Sequence, residues 1–279
     1  METVYIQGKK HRIGRCIYCL SQENLSDEHA VPFSLGGDIT LEDASCDRCA
    51  GITSYLDGYL ARHVFHEFRT HRGLQSRRGL PKELPATLIH GEQRVRTLLP
   101  VSDHPFAITL PNFGSAGILR GEPPRKVYGE RTNFWSWGWF PESMTAEGIR
   151  VEITYNVGTF ARAIAKAAYC HAVLMHGLGG FRSLWMSDLI LGRYPYPLYL
   201  VGSDELQPLS QQMPQHELWF GDATNSRQKL EDVSLRLFGN AATRDGIGLP
   251  VYHVVMGVLG EAVTRVRRRV PVLPKTIAL

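Results

Sequence analysis

The chain has 279 residues, 43% of them hydrophobic, and a formal net charge of +4. That length holds a small module plus a domain with its own core, and no apolar run is long enough for a membrane-spanning helix. The charge by itself does not argue for a nucleic-acid partner, because ten Lys/Arg in the first 80 residues are matched by ten Asp/Glu.

Met1 is followed by Glu2, Lys9, Lys10 and His11 with no apolar stretch. No secretory signal is read there, and a soluble, cytoplasmic protein is expected. In that compartment two Cys-x-x-Cys pairs, Cys16/Cys19 and Cys46/Cys49, read as metal ligands rather than disulfides. Four thiolates in two knuckles make a tetrahedral structural zinc site. Cys170 stands alone in an apolar run and reads as a buried, inert thiol.

Between the knuckles, residues 26–31 and 39–45 read as short strands joined by the turn Gly36-Gly37-Asp38. Ile52, Tyr55, Leu56, Tyr59, Leu60 and His63 then recur at helical spacing, which predicts one helix over about 51–71. Gly73, Gly79, Pro81 and Pro85 punctuate the chain, dividing a zinc domain over 1–80 from a second domain over 84–279. In the second domain strands are expected over 87–100, 105–110 and 148–155. A nearly all-apolar helix over 158–177 and a shorter one over 181–191 follow, then strands over 197–201, 216–221, 233–238 and 251–258. Strands, then helices, then strands make an α+β fold. Phe134, Trp135, Trp137, Trp139 and Phe140 form an aromatic cluster that reads first as core or packed loop and second as a base-stacking surface.

The chemistry is concentrated in Asp27-Glu28-His29, inside the zinc bracket. Phosphodiester hydrolysis needs a base for water, a cation for the phosphate and stabilisation of the leaving oxygen. His29 suits the base and Glu28 a divalent ion; Asp27 is a second carboxylate on the side of His29. Carboxylates and phosphate favour Mg²⁺ or Mn²⁺, whereas thiolates select zinc. After the second knuckle, Arg62, Arg69, Arg72, Arg77 and Arg78 face a single acid, Glu67, and Arg69, Arg72, Arg77 and Arg78 are candidate nucleic-acid contacts. Arg265, Arg267, Arg268 and Arg269 form a second basic cluster that reads equally well as a solvated face.

In order, the chain carries Cys-x-x-Cys, Glu28-His29-x-x-Pro32, Leu35-Gly36-Gly37 and Asp43-Ala44-Ser45-Cys46-x-x-Cys49. This ordered set resembles the HNH endonuclease family, in the variant whose ββα-metal fold is tied by two zinc knuckles. The resemblance implies a DNA-cleaving hydrolase in which His29 activates water, Glu28 helps bind a catalytic Mg²⁺ or Mn²⁺, and Cys16, Cys19, Cys46 and Cys49 hold zinc. It places Asp43 on the second strand as the residue that orients the base. The family's Asn or His after the last cysteine is here Ala50, so the second metal ligand is missing; Thr53 and Asp57 are the candidate substitutes. The alternative is a catalytically degenerate zinc-tied module that binds nucleic acid or serves as an adaptor. The resemblance assigns no role to residues 84–279, for which substrate docking or homodimerisation is the expectation.

Overall fold

The structure is a computed structural model and describes residues 10–74, 79–126, 133–139, 148–150, 155–180, 182–183, 185–204, 215–224, 229–240, 249–258 and 269–272. Three short strands begin it. β1 (Lys10–Arg12) runs parallel to one edge of β3 (Thr40–Cys46), and β2 (Leu25–His29) runs antiparallel to the other. Between β2 and β3 the chain makes a single 3₁₀ turn at Phe33–Leu35, which ends where Gly36 takes φ 84°. Gly37 follows because its backbone lies against that of Val31: an added Cβ would sit 2.0 Å from the Val31 carbonyl oxygen.

β3 runs straight into α1 (Asp47–Tyr59), with Cys46 extended at its N-cap and Asp47 in the first turn, where an acid complements the helix dipole. The single helix expected over 51–71 is two helices: after α1 the turn widens to a π-helical segment, Leu60–Val64, and α2 (His66–His71) follows. Burial explains the widening. Leu56, Leu60, Val64 and Phe68 are all buried, a period of four. On an ideal α-helix a fourth-residue repeat drifts by about 40° per step, and a wider turn returns the later residues to the core face.

The stretch expected as one strand over 87–100 is a hairpin, β4 (Glu83–His90) with β5 (Gln93–Pro100), turning at Gly91 with φ 54°. β6 (Phe106–Asn112) pairs with β7 (Asn133–Trp139), and β8 (Gly148–Arg150) adds to the free side of β4. The aromatic side chains of the expected cluster lie outside the described residues.

α3 (Val157–His176) is the longest helix. Asn156 caps it, accepting the Thr159 N–H at 2.9 Å, and Gly177 at φ 72° stops it. β9 (Arg182–Ser183) and α4 (Met186–Ile190) occupy the region expected as one helix over 181–191. The strand expected over 197–201 is corrected: Pro197 opens a helical turn, α5 (Pro197–Leu200), as proline's fixed φ favours at a first helical position, and β10 (Val201–Ser203) starts after it. β11 (His216–Thr224), β12 (Lys229–Leu237), β13 (Tyr252–Val258) and β14 (Arg269–Val272) complete an antiparallel sheet in the order β10-β13-β12-β11-β14, with β9 also on β13.

The fold is α+β. α3 lies between this sheet and the cysteine module, packing on β12 and β13 and also on α1 and β2. One hydrophobic cluster therefore runs from Cys16 to Met256, and the regions expected as separate domains over 1–80 and 84–279 share it. No helix among the described residues is long and apolar enough to cross a membrane.

Candidate functional site

The four cysteine sulfurs lie within 4.8 Å of one another, and all four thiols are free of disulfides. The first knuckle is a tight turn in which the Leu20 N–H returns to the Cys16 carbonyl at 2.8 Å and Leu20 takes φ 65°. The second joins the end of β3 to the first turn of α1. The Cys49 N–H, donating to the Cys46 sulfur, draws that thiol down to about 7, whereas burial pushes Cys49 up. With Zn–S bonds of about 2.3 Å a tetrahedral ion needs sulfurs about 3.8 Å apart, so the cluster is compatible with a structural zinc site. Among the described residues no other group of His, Cys, Asp or Glu brings three ligand atoms this close. Cys170 is buried beside the Tyr18 hydroxyl, and burial chiefly pushes its thiol up to about 12.

Above the knuckles, β2 delivers Glu28 and His29 to opposite sides. His29 Nδ1 lies 3.1 Å from Thr40 Oγ1, its cross-strand neighbour. The ring lines a pocket of about 320 Å³ together with Phe33, Ser34, Asp57, Arg62 and Arg69. Arg62 folds back over α1 against Gly58, whose hydrogen leaves room for the guanidinium. Arg69 is only 7% exposed, and its Nε has no hydrogen-bond partner among the described residues. Burial, with Arg62 adding repulsion, works against its charge.

Glu28 faces inward. Its Oε1 is 2.9 Å from Lys166 Nζ, on α3, and its Oε2 accepts from Thr53 Oγ1 at 2.9 Å. The same ammonium donates to Asp57 Oδ1 and Oδ2 at 2.9 and 3.0 Å and to the His29 carbonyl. Lys166 is 1% exposed. Burial would lower its pKa, but the Asp57 and Glu28 carboxylates more than reverse this and raise it. Burial, opposed by Lys166 and reinforced by Glu28, pushes Asp57 up to about 6.

The divalent ion implied at Glu28 does not fit this arrangement. Both Glu28 oxygens are engaged, the proposed substitutes Thr53 and Asp57 are held in the same network, and an ammonium already stands between the carboxylates. Asp43, expected to orient His29, points elsewhere: it has φ 53°, and its carboxylate pairs with Arg12 at 2.9 Å, while Thr40 takes the place beside the ring. Asp27 accepts from the Asp43 N–H at 3.3 Å and is exposed, away from Thr40 on the strand. Of the arginines expected to touch nucleic acid, Arg69 lines the pocket and exposed Arg72 stacks on the Phe68 ring at 5.7 Å. Arg77 and Arg78, like Arg265, Arg267 and Arg268, lie outside the described residues.

Two site residues carried no sequence signal as such. Thr40 follows only from strand register. Lys166 sits in a largely apolar helix that also carries Arg162, and a lone lysine among fourteen buried helix positions is the mark that could have singled it out. Comparisons with family models, with curated proteins and with solved structures give no match.

Proposed function

We propose that this protein hydrolyses phosphodiester bonds in nucleic acid, DNA foremost, on a scaffold tied by one structural zinc ion at Cys16, Cys19, Cys46 and Cys49. The reading agrees with the HNH-like motif order, and one observation carries it: an imidazole held by a hydroxyl opens on the same pocket as two guanidiniums, one of them buried with its Nε unpartnered and no acid paired to it among the described residues. A buried cation lacking a counter-charge is costly, and a phosphate in the pocket would relieve that cost.

In the working tautomer His29 Nδ1–H donates to Thr40, so Nε2 is the nitrogen that accepts a proton from water. The oxygen of that water attacks phosphorus as the bond to the leaving oxygen breaks. Arg62 and Arg69 take up the charge that accumulates on the phosphate, bidentate donors suiting its geometry.

The test is nicking of supercoiled plasmid by zinc-loaded protein, with Mg²⁺, with Mn²⁺ and in metal-free buffer. Wild type should nick, and His29→Ala should lose on the order of 10²-fold or more while keeping its fold and zinc content. A second reading, a zinc-tied module that binds nucleic acid without cutting it, is favoured by Ala50 and by the engagement of Glu28 with Lys166. Retention on DNA with no nicking in any buffer would decide for it.

A further inference from the structure

The Glu28–Lys166–Asp57 cluster has the donor set of a hard-cation site. Two carboxylates, one from β2 and one from α1, and the backbone carbonyl of His29 converge on a single point. All donors are oxygens and together they carry two negative charges, the combination that Mg²⁺ or Mn²⁺ selects. The point is filled by Lys166 Nζ, brought from α3 across 137 positions of sequence and screened from water.

We infer that Lys166 is the resident cation of this site: its ammonium replaces a divalent ion, fixing Glu28, Asp57 and the His29 backbone so that the pocket works without added metal. The carboxylate oxygens stand 2.9 to 3.0 Å from Nζ, where Mg²⁺ would require about 2.1 Å, so ion and ammonium cannot share the position. An ion placed alongside would also meet a like charge in a poorly solvated cleft. Lys166 therefore acts as a positioning residue for His29, through its carbonyl, and reaches no reacting atom. That the pocket works without added metal rests on the proposed hydrolysis; occupancy of the cation position by Lys166 does not.

The experiment titrates zinc-loaded protein with Mn²⁺ and follows the paramagnetic resonance of the free ion. Wild type should show no Mn²⁺ binding that Glu28→Gln or Asp57→Asn removes. Lys166→Met should acquire one site at least tenfold tighter than any in wild type, and Lys166→Met/Glu28→Gln should lose it again. Wild-type binding that either carboxamide variant abolishes would overturn the inference, because the carboxylates would then accept an ion with Lys166 present. If Lys166→Met unfolds in metal-free buffer, refolding on addition of Mn²⁺ supports the inference and failure to refold with Mn²⁺ or Mg²⁺ overturns it. In the nicking assay wild-type rates with and without Mg²⁺ should agree within about twofold, and strict dependence on Mg²⁺ would also overturn it. Complete absence of nicking would remove the proposed hydrolysis and leave the Mn²⁺ titration to decide the role of Lys166.

Discussion

In the proposed hydrolysis the chemistry at His29 depends on which ring nitrogen carries the proton, and the contact with Thr40 bears on that choice. Thr40 Oγ1 stands 3.1 Å from Nδ1, and as acceptor it leaves Nε2 ready to take a proton. Thr40→Val keeps shape and β-branching but removes the acceptor. We expect nicking to fall by about ten- to a hundredfold, with denaturation midpoint little changed, and Thr40→Ser to recover most of the rate. Equal rates for Val and wild type would show that the hydroxyl does not set the tautomer. The sequence singled out the adjacent Glu28-His29 pair but not the partners that orient them, and register is the reason. Ser26 pairs with Ser45 and Glu28 with Leu41, so two steps on β2 span four on β3. The extra residues bulge at Asp43, whose positive φ swings its carboxylate to Arg12. Regular alternation along β3 gives no hint of that insertion.

The loop between β2 and β3 was the most legible element, and its glycines have separate duties. Gly36, in the turn expected at Gly36-Gly37-Asp38, supplies a left-handed φ that ends the 3₁₀ turn, while Gly37 allows two backbone segments to touch. Against Gly37 a Cβ would meet backbone, which cannot rotate away as the flexible Gln215 side chain beside Gly36 can. Gly37→Ala should therefore destabilise the protein by about 1–3 kcal/mol, read as a lower urea midpoint, and should shift Pro32, Phe33 and Ser34, which form one wall of the pocket. A midpoint within error of wild type would mean that the loop yields freely. The long helices were equally legible from apolar spacing, because α3 is buried almost all round and α1 repeats at 3.6. Where period and geometry part, at Leu60–Val64, spacing alone still read as a continuing helix. At Pro197 a continuous apolar run over 197–201 reads as a strand and conceals a helix start.

Across the whole molecule, the candidate site is held by parts of the chain that sequence spacing cannot associate. α3 sends Lys166 to the carboxylates and Tyr169 to the first knuckle, where its hydroxyl donates to the Ile17 carbonyl at 2.8 Å. The large sheet sends Gln215 and His216, whose Nε2 atoms both reach the Leu35 carbonyl at 2.8 Å and so anchor the pocket loop to β11. His216 is wholly buried beside Phe238, with Nε2–H donating to Leu35 and Nδ1 accepting from the Phe238 N–H at 3.4 Å. Burial, only partly offset by the Leu35 carbonyl, pushes it down from 6.5 to about 4. The unfolded chain then binds a proton that the folded chain refuses. Stability is intact above 6.5 and falls as pH drops through the window from 6.5 to about 4, by about 3 kcal/mol in all for this one group. Between pH 7 and pH 5.5 its share is about 1 kcal/mol. His216→Gln retains a donor for Leu35 but cannot titrate. Whatever its stability at pH 7, the variant should lose about 1 kcal/mol less than wild type on moving to pH 5.5, measured by urea denaturation of the zinc-loaded proteins. Parallel losses in the two proteins would mean that His216 accepts its proton without unfolding, and the tie between the large sheet and the pocket loop would have to rest on Gln215 alone.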